Sequence, residues 1–258
     1  MSSRLHGRPF RRTKWAGNRL HRPPVAKVHS FTFHPLFLYL FKMIDLHTHT
    51  IFSDGELIPF ELVRRAEAIG YTAIAITDHM DASNLDLIIP RIVKSIEALK
   101  PHVTIDVLPG AEITHAPPEL IASLVKEARH LGAKIVVVHG ETIAEPVAPR
   151  TNRMAIESSV DVLAHPGLIT EEEVVLAKER SVYLELTSRK GHSLTNGHVA
   201  KLAHRIGAPM ILNSDAHGPW DIWPIGRLHE IVVGAGLTEA DYHTLLRNAE
   251  SIAKRCLP

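Results

Sequence analysis

The chain of 258 residues contains a single cysteine, Cys256, and only 5% aromatic residues. One thiol excludes an intrachain disulfide and a cysteine-based zinc site, and it fits the reducing cytoplasm. The apolar segment at residues 31–41 is too short to span a bilayer, and no small-residue cleavage site follows it. We therefore expect a cytoplasmic protein without a membrane partner.

Acidic residues are absent from positions 1–42, which hold nine lysines and arginines and lack hydrophobic periodicity. We interpret residues 1–42 as a basic, disordered extension and Met43 as the natural start, with a membrane-binding or partner-binding arm as the alternative. Residues 43–258 contain the other 20 basic residues and all 28 acidic ones. Because this part is acidic throughout, it gives no reason to expect a nucleic-acid surface.

From Met43 onward, short β-branched runs alternate with amphipathic helical segments. The predicted strands are 43–47, 73–77, 104–108, 134–138, 161–164, 182–186 and 209–213. Pro59 and Pro118 mark helix starts, and a helix at Thr238–Arg255 closes the chain. Seven β/α units with short connections predict one α/β domain over 43–258, a closed or slightly deformed barrel. A doubly wound open sheet is the alternative, because alternation alone does not separate the two.

Eighteen histidines are many for this length, and two of them form the pattern Leu46-His47-Thr48-His49 after the first strand. In an extended backbone, residues two apart face the same side, so both imidazoles point at one place. Six of the seven predicted strands deliver histidine or carboxylate residues at their carboxyl ends. The residues concerned are His47, His49, Asp54, Asp78, His79, Glu112, His139, His165, Asp215 and His217. In a β/α barrel these positions share one rim, where active sites are built.

Packing so many imidazoles and carboxylates into one cup requires cations, because desolvated carboxylates repel one another. Nitrogen and oxygen ligands without thiolates suit zinc, manganese or iron rather than calcium. The number of ligands is too large for one ion, so we expect two or three divalent metal ions, with Glu112 as the candidate bridge. Two ions that share a water generate hydroxide at neutral pH, placed to attack a phosphate ester. We predict no side-chain nucleophile.

The polar motifs together resemble the PHP superfamily, named for polymerase and histidinol phosphatase. The motifs are His47-Thr48-His49 with Ser53-Asp54-Gly55, Thr77-Asp78-His79, Gly110-Ala111-Glu112, Val138-His139-Gly140, Ala164-His165-Pro166-Gly167 and Ser214-Asp215-Ala216-His217. The resemblance implies a distorted (β/α)7 TIM-like barrel with up to three metals at its mouth. It implies a first ion at His47, His49, Glu112 and Asp215. A second is implied at Glu112, His139 and His165, and a third at Asp54, His79 and His217.

The resemblance also implies a metal-dependent phosphoesterase acting on a small phosphorylated metabolite, with histidinol phosphate as the first candidate and a phosphomonoester preferred to a phosphodiester. One alternative is a nucleotide phosphatase or 3'-5' exonuclease-type phosphodiesterase, for which a mononucleotide or short nucleic acid would suffice as substrate. A non-catalytic, metal-stabilised module is the other alternative. No feature of the sequence specifies an oligomeric state.

Several polar residues beside the expected ligands receive auxiliary roles. Arg189, Lys190 and His192 follow the sixth strand at the rim, and we predict that they contact the substrate's phosphate or carboxylate. For Asp78, a carboxylate that orients a ligand imidazole and a plain turn residue both stay open. Glu185 is either a pocket residue or a paired structural carboxylate at a strand end.

Overall fold

The computed structural model describes residues 42–257, so the predicted extension at 1–42 lies outside the described residues apart from Lys42. The described part contains eight strands: β1 (Met43–Asp45), β2 (Tyr71–Ile76), β3 (His79–Met80), β4 (Asp106–Ile113), β5 (Ile135–His139), β6 (Val162–Ala164), β7 (Tyr183–Thr187) and β8 (Met210–Asn213). It also contains eight α-helices: α1 (Pro59–Ile69), α2 (Leu85–Leu99), α3 (Pro118–His130), α4 (Thr151–Glu157), α5 (Glu171–Arg180), α6 (Asn196–Ile206), α7 (Ile225–Gly234) and α8 (Glu239–Cys256).

All strand pairs are parallel, in the order β1-β2-β4-β5-β6-β7-β8, and the short β3 pairs with the carboxyl end of β4. The first and last strands meet just beyond their carboxyl ends. There the Asp215 amide donates to the His47 carbonyl at 3.0 Å, and the His49 amide donates to the Ala216 carbonyl at 2.9 Å. This closure confirms the distorted (β/α)7 barrel, and the doubly wound alternative is wrong.

The barrel interior follows the two-residue period of the strands. On β5, for example, Ile135 and Val137 are fully buried in a cluster of inward side chains. Ile252 and Ala253 of α8 belong to the same cluster. The guanidinium of Arg255, on α8, donates to Asp161, which lies directly before β6, at 2.7 Å. Helix α8 therefore covers the amino-terminal opening of the barrel and leaves the carboxyl end open for a site.

The helices pack their apolar faces on the outside of the barrel in a second, larger cluster of buried side chains. Their ends use the signals that the sequence carries. Helix α1 has a proline in its first turn, and Gly70 after it adopts a left-handed conformation with φ of 103°. Helix α8 begins with a capping box formed by Thr238 and Asp241. Within residues 42–257, no helix is both long and apolar enough to cross a bilayer.

Candidate metal centre

On two strands, β4 and β5, a polar side chain at the carboxyl end continues the series of side chains that point into the barrel. On β5 the inward series Ile135 and Val137 ends in His139, and on β4 the inward Leu108 is followed, four residues later, by Glu112. Both polar side chains are buried. On these two strands, the alternation that points apolar side chains into the barrel therefore also points the last polar side chain at the mouth.

The first group of predicted ligands comprises His47, His49, Glu112 and Asp215, all at most 2% exposed. His47 Nε2 lies 3.3 Å from Glu112 Oε1 and 3.8 Å from Asp215 Oδ1. His49 Nε2 lies 3.2 Å from Asp215 Oδ1 and 3.7 Å from Glu112 Oε2. Two nitrogens and two carboxylates thus surround one point, and the two imidazole rings of the His-x-His motif are 5.0 Å apart.

The second group adjoins the first through Glu112. His165 Nε2 lies 3.7 Å from Glu112 Oε1, and the His139 ring contacts the His165 ring edge-on at 4.5 Å. His192 stacks on His165 at 4.2 Å, and one ring nitrogen from each of the three histidines falls within 4.8 Å of the others. His192, which the sequence predicts to contact substrate, is therefore also placed to be a ligand.

The third group lies nearest to solvent. Asp54 Oδ1 is 3.2 Å from His217 Nε2 and 3.5 Å from His79 Nε2, and the Asp54 side chain is 59% exposed. His79 Nδ1 lies 2.6 Å from Glu112 Oε2, so the same glutamate also borders this group. His49 contributes a nitrogen within 4.8 Å of the other ligand atoms. All nine predicted metal ligands are thus collected in one continuous cluster.

Several atoms of this cluster are buried without a hydrogen-bond partner among the described residues. They are His47 Nε2, both ring nitrogens of His49, Glu112 Oε1, His165 Nδ1 and Asp215 Oδ1. Leaving a buried polar atom unpaired costs about 1–3 kcal/mol. Divalent cations would satisfy most of these atoms at once, because neutral imidazole and carboxylate are ligands of zinc, manganese and iron. The residues present therefore fit such ions.

The carboxylates and imidazoles shift one another's affinity for protons. Burial opposes protonation of His79, but the charges of Glu112 and then Asp54 raise its pKa to about 9. Burial raises the pKa of Asp215 to about 7. Burial, followed by the charge of His79, lowers the pKa of His49 well below its usual value. Protons are thus shared unevenly over the cluster, and a cation that takes these ligands displaces some of them.

Glu185, in the middle of β7, holds the back of the first group. It is fully buried, and its Oε1 lies 2.9 Å from His47 Nδ1. The Asn213 amide donates to the same oxygen at 2.8 Å, and the backbone N–H of His165 donates to Oε2 at 3.2 Å. With Nδ1 held as a donor, His47 presents the lone pair of Nε2 to the cluster, which is how ligand histidines are oriented.

Asp78 organises the loop that carries Asp54. Its carboxylate accepts hydrogen bonds from the backbone N–H of Thr50 at 2.7 Å and of Ser53 at 3.1 Å. The hydroxyl groups of the same two residues donate to it at 2.8 and 2.7 Å. Among residues 42–257, no imidazole donates a hydrogen bond to Asp78, so the turn interpretation fits the contacts better than the interpretation in which Asp78 orients a ligand imidazole.

The two predicted basic contacts differ in setting. The Arg189 guanidinium lies 3.3 Å from Asp221 Oδ2, and that carboxylate oxygen also accepts from the backbone N–H groups of His217 and Gly218, both at 3.0 Å. Arg189 is therefore fixed beside the loop of the third group. Lys190 is exposed.

Two residues outside the predicted site also border the cluster. Glu145 Oε2 lies 3.2 Å from His139 Nε2 and 3.1 Å from His115 Nε2. Neither residue belongs to a local pattern of ligand spacing: Glu145 stands in the loop between β5 and α4, six residues after His139. His115 follows Glu112 by three residues, and this short separation is the one feature of the sequence that indicates its nearness to the site.

Known proteins resemble this chain in sequence. Residues 45–206 match the family model described as the PHP domain. Over 214 residues the chain is 47% identical to an uncharacterized protein of Methanocaldococcus jannaschii, covering 82% of this chain and 98% of that protein. Over 224 residues it is 25% identical to a probable phosphatase of Thermoanaerobacter sp. strain X514, covering 76% of this chain and 88% of that protein.

Solved structures share the fold at low identity. A chain in archaeal ribonuclease P with mature tRNA superposes with a TM-score of 0.65 and 18% identity, covering 82% of this chain and 90% of that one. Histidinol phosphate phosphatase from Lactococcus lactis, solved with zinc, L-histidinol and phosphate, superposes with a TM-score of 0.54 and 17% identity, covering 76% and 95%. At these identities the likeness concerns the barrel and not its chemistry.

Proposed function

This chain belongs to the PHP domain family, and from that premise we propose that it is a phosphomonoesterase that uses two or three divalent cations. The coarser assignment, a metal-dependent hydrolase of phosphoesters, agrees with the family and with the probable phosphatase it resembles. The observation that carries the proposal is the cluster around Glu112, where three groups of nitrogen and oxygen ligands adjoin one another and leave buried atoms without partners.

Each ligand group has a distinct part in the proposed mechanism. His47, His49, Glu112 and Asp215 would hold the first ion, and Glu112, His139 and His165 the second. Asp54, His79 and His217 would hold a third. When bound, such ions supply an activated water and neutralise charge on the phosphoryl oxygens. Glu112 contacts residues of all three groups, which supports its assignment as a shared ligand.

Residues beside the ligand groups orient them or border the site. Glu185 holds the His47 ring through Nδ1, and Asp78 holds the loop of Asp54 through Thr50 and Ser53. The Ser53 hydroxyl donates to Asp78 at 2.7 Å and so takes part in holding this loop. Arg189, anchored at the rim by Asp221, would contact the phosphate or another acidic group of the substrate.

For the substrate we propose a small phosphorylated metabolite of the histidinol phosphate kind. Support comes from the open carboxyl end of the barrel and from the shared fold of the Lactococcus lactis histidinol phosphate phosphatase, whose structure contains L-histidinol and phosphate. The described domain is acidic overall, which disfavours a long nucleic acid as substrate.

The test is phosphate release from p-nitrophenyl phosphate by the purified protein, with and without EDTA, followed by readdition of manganese or zinc. We expect activity that the chelator removes and either metal restores. His165→Asn should lower the rate about tenfold or more by removing a ligand. His130→Asn, at the exposed carboxyl end of α3, is the matched control and should not change it.

A substrate panel then separates the classes. Histidinol phosphate, nucleoside monophosphates, short oligonucleotides and bis(p-nitrophenyl) phosphate should be compared at equal concentration. Faster cleavage of the diesters than of the monoesters would overturn the phosphomonoesterase proposal. Metal binding without hydrolysis of any of these compounds would indicate a metal-stabilised module.

A further inference from the structure

Hydrogen bonds and close packing fix the conformation of the loop between β5 and α4. Asn152 accepts from the backbone N–H of Glu141 at 2.9 Å, and its own backbone N–H donates to the Glu141 carboxylate at 3.0 Å. Gly167, with φ of 64°, packs against this loop so closely that a Cβ would lie 1.8 Å from the Glu141 carbonyl oxygen. These contacts fix the start of the segment that carries Glu145.

Glu145 meets three imidazoles at once. Its Oε2 lies 3.2 Å from His139 Nε2 and 3.1 Å from His115 Nε2, and its Oε1 lies 3.5 Å from His192 Nε2. The side chain is 41% exposed, whereas His139 is buried. The carboxylate therefore reaches inward from the solvent side and covers the outer edge of the second ligand group.

The two ring nitrogens of His139 have different partners. His139 Nδ1 is 3.2 Å from the carbonyl oxygen of Gly140, which can only accept a hydrogen bond, so Nδ1 carries the proton. Nε2 is the ring nitrogen that faces the Glu145 carboxylate, at 3.2 Å. An imidazole nitrogen and a carboxylate oxygen at this separation could both bind one cation, since both are ligands of zinc, manganese and iron.

The same loop orients the His192 ring through a hydrogen bond. Its Nδ1 pairs with the hydroxyl of Thr142 at 2.7 Å, so Nε2 remains directed toward Glu145 and toward the nitrogens of His139 and His165. The ligand set implied by family resemblance gives the second ion only Glu112, His139 and His165. Zinc and similar ions take at least four ligands, so that set leaves room for more.

We propose that Glu145 is a further ligand of the second cation, supplied by the β5–α4 loop, with His192 as an additional imidazole ligand. The second ion would then be enclosed by two carboxylates, one from inside the barrel and one from the solvent side. A negatively charged substrate approaching from the mouth must compete with Glu145 for a position on that ion. This inference rests on the metal centre of the proposed function, but it does not depend on which ester is hydrolysed.

The test compares Glu145→Gln with wild type and with Glu119→Gln in the full-length protein. Glu119, in the first turn of α3, is a matched control, since it is an exposed carboxylate that pairs with Arg150 at 3.3 Å and contacts no imidazole among the described residues. Metal-free protein is titrated with Mn²⁺ by calorimetry, and the Co²⁺ form is followed by its visible absorption, which changes with coordination number. Circular dichroism verifies that each variant is folded.

For Glu145→Gln we expect the affinity for one of the bound cations to fall at least tenfold and the Co²⁺ absorption to change. Glu145→Asp, which retains the charge, should lose less, and Glu119→Gln should match wild type. Binding isotherms and Co²⁺ spectra of Glu145→Gln that equal those of wild type would overturn the inference, even if phosphate release is normal. Altered metal binding by Glu145→Gln, together with no phosphoesterase activity in wild type, would overturn only the proposed function. Wild type that binds no cation would overturn both.

Discussion

Replacing Glu185 by glutamine tests whether the first ion depends on how His47 is held. The carboxylate receives three hydrogen bonds: two at Oε1, from His47 Nδ1 and the Asn213 amide, and one at Oε2, from the His165 backbone N–H. All four residues are buried, so water cannot replace a lost partner. A substitution of Glu185 should therefore disturb the site, although Glu185 is not among the expected ligands.

A glutamine side chain fits this space but offers only one acceptor oxygen. If that oxygen stays with His47 and Asn213, the amide NH2 faces the N–H of His165, and two donors confront each other. Glutamine also lacks the negative charge of Glu185, which raises the pKa of His47 against the opposing effect of burial. Partners behind a ligand histidine typically contribute 10–100-fold to metal affinity. For Glu185→Gln we thus expect a loss of about 1.4–2.7 kcal/mol in binding of the first cation.

The measurement is a competition between the protein and a zinc chelator of known affinity, on wild type, Glu185→Gln and Glu171→Gln. Glu171 is an exposed residue whose pairing with Arg205 at 2.7 Å should contribute little, so its variant serves as the control. A zinc affinity of folded Glu185→Gln within twofold of wild type would refute the argument that Glu185 acts through His47.

Three further outcomes follow from the structure. Without metal, His79 has a pKa of about 9 and is protonated at pH 7, so a cation that binds this residue must displace the proton. The metal affinity measured by calorimetry should therefore weaken by up to about tenfold per pH unit as the pH falls from 8 to 6. An affinity that does not depend on pH would contradict the assignment of His79 as a ligand. Leu46→Ala opens a cavity at a fully buried position of the barrel core and should lower the free energy of unfolding by about 2–5 kcal/mol in urea titrations. Asp78→Ala leaves the four donors of Thr50 and Ser53 without their acceptor and should cost at least about 2 kcal/mol in the same assay, whereas Asp78→Asn, which keeps an acceptor, should cost less.

The barrel could be predicted from the sequence because its strands and helices carry strong local signals. The run Ile135–Val138, apolar on both faces, marks a strand covered on both sides, and it forms β5 with only a one-residue shift. Other boundaries depend on neighbours. Strand β4 begins at Asp106 and continues to Ile113, beyond the predicted end at 108, because its carboxyl half pairs with β5 and with the two-residue β3. A strand of two residues has no period to detect.

The expected ligands could be predicted because the carboxyl ends of parallel strands share one rim, so the topology brings these segments of the chain together. Glu185 and Glu145 carry weaker signals. Glu185 is an acidic residue in the middle of a strand, which indicates either a site or a pair, and only the three-dimensional contacts show that it faces His47. Glu145 lies in an irregular loop whose path is set by Asn152 and by the close approach of Gly167. Neither contact has a periodic signature.

Two expected ligands reach the cluster through unusual backbone conformations that no strand pattern contains. His165 has φ of 27° and Asp215 has φ of 55°, a region that residues other than glycine seldom adopt. On β6 the inward residue is Ala164, so regular alternation would turn His165 away from the barrel axis. The positive φ turns the chain so that Nε2 of His165 approaches Glu112 and Asp215. Such conformations cost about 1–3 kcal/mol each and persist only where the surrounding structure enforces them. Here the Glu185 carboxylate accepts the backbone N–H of His165, and the His47 carbonyl accepts that of Asp215. Residues of the site thus hold each other's backbones in place, so the positions of these two ligands are a property of the assembled barrel and not of either local segment.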